Sequence, residues 1–429
     1  TLEGGAIATR TRFDIRGDAP DYLSGDTTNI TQVYSFYGGP SLSTHAGPVQ
    51  IGAGYRIGYT RVDAPDATGV AAGQTPLDVY DDSTTQQASF SVGTRAGTVL
   101  PVGLTVNGAW EREDAGQLDQ RYEGRHIRGD VVLPVARTVA LVGGVGYEKV
   151  EITQRDPLLD GSGQPVTDSA GRQVTDPASP RRIAYNLDGI FWDAGVVWRP
   201  STRTTLEARV GRRYDSWSYT GSLNWQIGPN SALQIGVYDG IDSFARQLNN
   251  GLSSISTDFT GTYGAFGGQF NGCIFGTTGD NAGTCMNGVF QSVATANYRA
   301  RGVDAVLSFN RGRTRFGVGA GYARRDFLAP DTPVGYTVYG ITDESLYAQA
   351  FAARPVGPYG MLSGNVFLNY YNSGLPGADS VLGWGVNGAY SHRFGRLDAR
   401  AALGIYGYSL EDDADSIAAQ ALLGLHYGF

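Results

Sequence analysis

Ile417-Ala-Ala-Gln-Ala-Leu-Leu-Gly-Leu-His-Tyr-Gly-Phe429 is the stretch on which the reading of the fold turns. Counting back in twos from Phe429 gives Tyr427, Leu425, Leu423, Ala421, Ala419 and Ile417, an apolar row. The intervening Gly428, His426, Gly424, Leu422, Gln420 and Ala418 are smaller and more polar. Successive side chains of a strand point to opposite faces, so this period of two describes a strand with one greasy face.

Composition says what that face meets. Of 429 residues, 62 are glycine and 25 tyrosine, and 41% are hydrophobic. No run approaches the roughly 18 consecutive apolar residues that a membrane helix requires. Strands cross lipid only in a closed barrel, because an open sheet edge leaves backbone groups unpaired in hydrocarbon. No fixed repeat of the kind that marks a propeller or solenoid is present. The expected fold is all-β: a transmembrane antiparallel up-and-down β-barrel occupying residues 1–429 as a single unit.

A period-two strand ending on an aromatic resembles those of bacterial outer-membrane β-barrels. On that resemblance Leu423, Leu425, Tyr427 and Phe429 form the signal read by the barrel assembly machinery. It implies residence in the bacterial outer membrane, with its lipid and lipopolysaccharide as surroundings.

About 18 strand-like segments can be read, near residues 2–13, 31–43, 48–62, 84–97, 99–113, 119–135, 138–154, 184–199, 203–215, 217–228, 231–242, 295–311, 313–327, 343–354, 357–371, 379–394, 396–409 and 416–429. More would be expected if the N-terminus is trimmed. Alternation is plain in Val49-Gln-Ile-Gly-Ala-Gly-Tyr-Arg-Ile-Gly-Tyr59 and in Thr314-Arg-Phe-Gly-Val-Gly-Ala-Gly-Tyr322, and unclear in 2–13. Long connections, such as 14–30, 63–83, 155–183 and 243–294, alternate with tight turns, such as Thr44–Gly47, Gly97-Thr98, Pro200–Thr202 and Gly395. Long loops outside and short turns inside are the asymmetry of such barrels. The rhythm puts both termini on the periplasmic side.

Alternation sorts the charged residues. Arg56, Arg95, Arg128, Arg199, Arg209, Arg213 and Arg315 are expected to line the lumen with Glu111, Asp130, Glu148, Asp193, Glu207 and Asp304. A wall of that kind is wet and mixed in charge, and barrels of roughly 16–18 strands leave an aqueous channel. The bland reading, a solvated lining with internal ion pairs, stays open for each residue taken singly.

The segment 243–294 is far longer than an ordinary loop and carries Phe259, Tyr263, Phe266, Phe270, Phe275 and Phe290. Loops of this length tend to be functional. This extracellular loop is expected to fold over or into the mouth as a lid or constriction, or to cap the surface without gating. Within it Cys273 and Cys285 lie in a Gly/Asn/Thr-rich stretch. Two nearby loop cysteines in an oxidising compartment most simply form a disulfide; a metal pair is the competing reading, with no histidine close by.

Catalysis and nucleic acid find little support. His45, His126, His392 and His426 are scattered, and no familiar nucleophile motif accompanies them, whereas a hydrolase needs a nucleophile, base and orienting group together. No catalytic residue, metal site or cofactor is expected. A net charge of −8 opposes nucleic acid, which demands a basic footprint.

Trp192-Asp-Ala-Gly-Val-Val-Trp-Arg-Pro-Ser-Thr-Arg-Thr-Thr-Leu-Glu-Ala-Arg-Val-Gly-Arg-Arg-Tyr214 resembles the two-strand core of a family of outer-membrane β-barrels associated with exosortase (PEP-CTERM) and exopolysaccharide gene clusters. The shared features are the Arg-Pro turn, the Leu-Glu-Ala strand and the Gly-Arg-Arg-Tyr end; elsewhere the likeness is one of strand rhythm. The resemblance implies a part in moving or anchoring surface polymers and a periplasmic polysaccharide-export partner. The cysteine-bearing segment has no counterpart in that pattern. Three functions follow as expectations: a non-enzymatic channel for hydrophilic cargo such as exopolysaccharide, a diffusion porin for small solutes, or a structural barrel with a closed lumen.

Overall fold

The computed structural model describes residues 1–14, 17–18, 30–63, 80–169, 172–255, 258–263, 270–290, 296–331, 340–374, 380–410 and 415–427. Eighteen strands make one large antiparallel sheet. They are β1 (Leu2–Asp14), β2 (Ile30–Ala46), β3 (Val49–Asp63), β4 (Asp82–Thr94), β5 (Gly103–Ala115) and β6 (Arg121–Pro134). The middle third is β7 (Val139–Gln154), β8 (Arg182–Ser201), β9 (Thr204–Arg213), β10 (Ser216–Gly228), β11 (Ser231–Asp242) and β12 (Asn297–Arg311). The last are β13 (Thr314–Leu328), β14 (Thr342–Val356), β15 (Gly360–Asn372), β16 (Val381–Phe394), β17 (Leu397–Leu410) and β18 (Ser416–Tyr427).

Each strand pairs with the next in sequence, an uninterrupted meander. All the segments expected from alternation are strands. Boundaries move by a few residues; the Thr44–Gly47 turn shrinks to Gly47-Pro48 because β2 continues to Ala46. Gly47 takes a φ of 58° there, the left-handed conformation that a glycine adopts without penalty. No pairing joins β18 to β1 among the described residues. Leu423 of β18 and Leu2 of β1 are the barest large apolar side chains, at 88% and 83% exposed.

The two faces are chemically distinct. On β3, Tyr55 and Ile57 are exposed on the outside, whereas Gly58, Thr60 and Val62 are buried on the inside. The outer face repeats this around the sheet with Phe90, Val106, Ile127, Val145, Ile190, Val366 and Leu403. Leaving such a side chain in water forfeits about 1.5–3 kcal/mol each, so a surface built of them belongs in lipid. No helix among the described residues is long and apolar enough to cross a membrane.

The sheet curls around the segment between β11 and β12. That insert contains α1 (Phe244–Ser254), three short paired strands (Phe259–Tyr263, Phe270–Gly276 and Gly283–Cys285) and one helical turn, Asn287–Phe290. α1 touches β1, β2, β3 and β4, while the helical turn touches β13 and β14. The insert therefore reaches across the lumen between distant walls. It sits inside the barrel at the long-loop end, more deeply than a loop lying on the surface.

Candidate functional site

Two polar layers line the lumen. Nearer the short turns, a ladder of charges crosses β6 to β9. Arg128 donates to Asp130 Oδ1 at 2.7 Å and to Asp193 Oδ1 at 2.8 Å. Arg209 donates to Asp193 Oδ1 at 2.9 Å and Asp130 Oδ1 at 3.1 Å, and its Nε also pairs with Glu207. The ladder lies flat because Gly144 stands beneath it, where a Cβ would run into Arg128 Nη2 and Asp130 Oδ1. Arg and Asp thus neutralise one another in a half-buried strip, and charge-assisted pairs of this kind exceed neutral hydrogen bonds in strength.

Above it, toward the long loops, the polar groups turn to each other and to the insert. Arg213 binds Glu148 Oε2 at 2.7 Å, and the Glu148 side chain is 3% exposed. His126 meets the Phe191 ring edge-on at 6.4 Å. Arg299 pairs with Asp239 at 2.7 Å, and Arg325 donates to Asp343 Oδ1 at 2.9 Å. Asp343 also accepts from the Tyr371 hydroxyl at 3.0 Å.

Arg246 ties the insert to the wall. Its guanidinium donates to Glu113 Oε2 at 3.0 Å, Glu111 Oε2 at 3.3 Å, Asn297 Oδ1 at 2.8 Å and the Ile241 carbonyl at 3.2 Å. It also lies 3.5 Å from the centre of the Tyr122 ring. Ser243 caps α1 by accepting from the Arg246 amide at 3.2 Å, and its own hydroxyl donates to Glu113. An N-cap contributes about 1 kcal/mol; here the same residue also fixes the helix to β5. One turn on, the Asn249 carboxamide accepts from Ser35 at 2.9 Å and donates to Thr85 at 3.1 Å.

Apolar contact completes the seal. Phe244, Ala245, Leu248 and Leu252 of α1 pack with Val33, Val62 and Tyr80 of the wall and with Ile274, Met286, Val289 and Phe290 of the insert. Cys273 and Cys285 form a disulfide that faces Gly319 of β13, where a Cβ would collide with both sulfurs. Phe275 packs on Phe351 with ring centres 4.8 Å apart. The loop between β7 and β8 adds a lateral strap: Arg172 binds Asp81 at 2.9 Å and donates to the Val62 carbonyl at 2.8 Å. Burial pushes the Asp81 carboxyl up from its ordinary value, and Arg172 pulls it back down.

Below the ladder the lumen opens into a cavity of about 740 Å³ among the short-turn ends of β3 to β9. Its polar wall includes Gln50, Arg95, Thr105, Arg137, Arg199, Glu207 and Arg209. Among the described residues no three His, Cys, Asp or Glu side chains gather into a metal-ligand set.

The residues picked out by alternation scatter over these layers. Arg128, Asp130, Asp193, Glu207 and Arg209 are the ladder; Arg95 and Arg199 line the cavity. Glu111, Glu148 and Arg213 face inward but are engaged by partners, Glu111 by Arg246 of the insert. Arg56 stacks 5.0 Å from the Tyr37 ring centre beside a smaller cavity that Glu3 also borders. Asp304 lies beside Gly236 on the inner face, and Arg315 is exposed near the turn after β12. Leu423, Leu425 and Tyr427 are outward and exposed, while Phe429 lies outside the described residues, as do Phe266 and the side chains of Tyr263 and Phe270.

Sequence reading passed over Arg246, Asn249 and Arg137. The available signals were Ser243 three residues before Arg246, an N-cap spacing, and the inward glycine tracks of β3 and β13, which leave room for something to dock.

No family model and no curated protein matches the chain. Among solved structures it is similar to the ferric enterobactin receptor PfeA of Pseudomonas aeruginosa, with 12% identity over 99% of this chain and 73% of that one, at a TM-score of 0.36. It is similar also to OccAB1 of Acinetobacter baumannii, with 11% identity, 99% and 96% coverage and a TM-score of 0.34. OccK5 (OpdH) of Pseudomonas aeruginosa gives 12% identity, 99% and 96% coverage and a TM-score of 0.34. Likeness at that level adds nothing to the strand pairing, on which the barrel stands by itself.

Proposed function

We propose that this protein is a non-enzymatic outer-membrane channel for small hydrophilic solutes, whose lumen the segment between β11 and β12 holds shut. The carrying observation is the contrast between the two ends. One has an open cavity of about 740 Å³ walled by charged residues; the other is crossed by α1 and its disulfide-bonded neighbour strands. On this reading the short turns and both termini face the periplasm, and the insert is the gate on the outer side. Proteoliposome swelling tests it: small sugars and amino acids should enter liposomes holding the protein faster than empty ones. Liposomes as tight as protein-free controls, with the barrel correctly folded, would leave only a structural role.

Export of exopolysaccharide is the narrower version of this reading. It rests on the resemblance of the Trp192–Tyr214 hairpin, as does a periplasmic export partner, whereas contact with lipopolysaccharide follows from the outer-membrane reading. Arginine lining suits an acidic sugar chain, whereas the cavity wall carries no aromatic ring on which neutral sugars would stack. Loss of surface polysaccharide on gene deletion, with nutrient uptake unchanged, selects it over the simple porin.

A further inference from the structure

The cavity at the short-turn end is unlike the rest of the protein in charge. The whole chain carries −8, yet the cavity wall holds Arg95, Arg137, Arg199 and Arg209 against the single carboxylate of Glu207. That carboxylate is engaged by Arg209, which is itself held by Asp130 and Asp193 in the ladder. Arg95, Arg137 and Arg199, exposed residues that border the cavity, have no acidic partner among the described residues, so three cations stand at one cavity uncompensated.

Their placement is built into the fold. Arg95 directly follows β4, and its guanidinium donates to the Gln50 carboxamide oxygen on β3 at 2.9 and 3.1 Å. Arg137 stands in the tight turn between β6 and β7, closed by the Val139 amide donating to the Ala136 carbonyl at 3.4 Å. Arg199 is fixed to that turn through its amide, which donates to the Thr138 carbonyl at 2.7 Å. Neighbouring Thr94, Thr105 and Thr138 hydroxyls add hydrogen-bonding groups to the same wall. Guanidinium forks match carboxylate and phosphate geometry two bonds at a time. Low-dielectric walls on several sides focus the field within the cleft.

We infer that this cavity is a binding site for small anions bearing carboxylate or phosphate groups, and that it makes the channel anion-selective. The inference deepens the proposed channel: the arginine mouth concentrates anionic solute directly beneath the ladder.

Two measurements test it separately from the channel itself. Calorimetric titration of the purified, detergent-solubilised protein with citrate and with inorganic phosphate, at low ionic strength, reads the site without requiring conduction. Saturable binding is expected, weakening steeply as salt shortens the screening length to about 10 Å at 0.1 M. R95Q/R137Q/R199Q should weaken it at least tenfold, and R95K/R137K/R199K should restore part of it. Binding of citrate alone marks a carboxylate site, and of phosphate alone a phosphate site. The second measurement is the reversal potential across a KCl gradient during openings of the full-length protein in a planar bilayer, which should show chloride preferred and the preference lost in the glutamine variant. If that variant fails to fold, R199Q alone and the salt titration of the unaltered protein carry the same comparison. Absence of saturable binding to either anion, or binding unmoved by the substitutions, overturns the site. Binding without any conductance would keep the site and sink the channel.

Discussion

Replacing Arg246 by alanine tests what holds the insert in the lumen. The guanidinium makes five hydrogen bonds, to Glu113, Glu111, Asn297, the Ser243 hydroxyl and the Ile241 carbonyl, and lies over Tyr122. Its side chain is 2% exposed and that of Glu113 4%, so R246A strands a buried carboxylate without a cation. Breaking a buried pair by removing one partner costs about 3–5 kcal/mol. The cost falls on docking of the insert, because β5 and the barrel around it keep their own strand pairing. At about 1.4 kcal/mol per tenfold, the lower figure raises the undocked population by roughly a hundredfold. In planar bilayers this appears as a matching rise in the fraction of time spent open. Protease should cut within residues 255–290 faster in parallel. E113Q/R246M removes the most deeply buried charge pair together and should cost less than R246A alone, since only the partly exposed Glu111 then loses its cation. An R246A protein with the unaltered protein's conductance trace and protease resistance would refute the latch.

Three further outcomes are expected. G319L puts a side chain where the disulfide lies, so the insert should be displaced and conductance should rise while heat-modifiable barrel mobility on gels persists; unchanged conductance contradicts the docking geometry. C273S/C285S opens a loop closed over a sequence separation of 12, a loss of about 3 kcal/mol to the insert on the chain-entropy model; hydrogen exchange should quicken in 270–285 and not in the eighteen strands of the barrel wall. Asp160, in the loop between β7 and β8, accepts from the Ser162 hydroxyl and from the Ser162 and Gln164 amides at 2.7, 2.8 and 2.9 Å, and these bonds hold its carboxyl below the ordinary value. A depressed folded-state pKa gives stability that is complete above the unfolded pKa and lost as pH falls through the folded one. The turn at 160–164 should therefore loosen only on the acid side of the usual carboxylate range; an NMR titration of Asp160 with an ordinary midpoint contradicts this.

The wall of this barrel was legible because its physics is local. A period of two written by Tyr55, Ile57 and Tyr59 against Gly54, Arg56 and Gly58 names both a strand and its lipid face, and tight turns such as Gly47 and Gly395 set where strands end. The ladder was partly legible: alternation puts Arg128, Asp130, Asp193 and Arg209 on one face, but their pairing depends on the register of β6 to β9 and on Gly144 between them. The insert was legible as a lid or constriction from its length and aromatic rings, but not in how it docks. Its partners, Ser35, Thr85, Glu113 and Gly319, belong to strands far apart in sequence, and long-range contact leaves no period to read. The same distance hides from the sequence that inward Glu111 and Arg213, partly exposed, and buried Glu148 are engaged in ion pairs.

Single-channel conductance in a planar bilayer tests the central claim most directly, comparing the unaltered protein with one in which residues 243–295 are replaced by a short flexible linker. With the insert in place the barrel should be closed most of the time, with brief small openings. Without it, a steady, several-fold larger conductance should appear, as expected of a wet lumen of 18 strands. Equal conductance in the two proteins would show that the insert does not close the lumen.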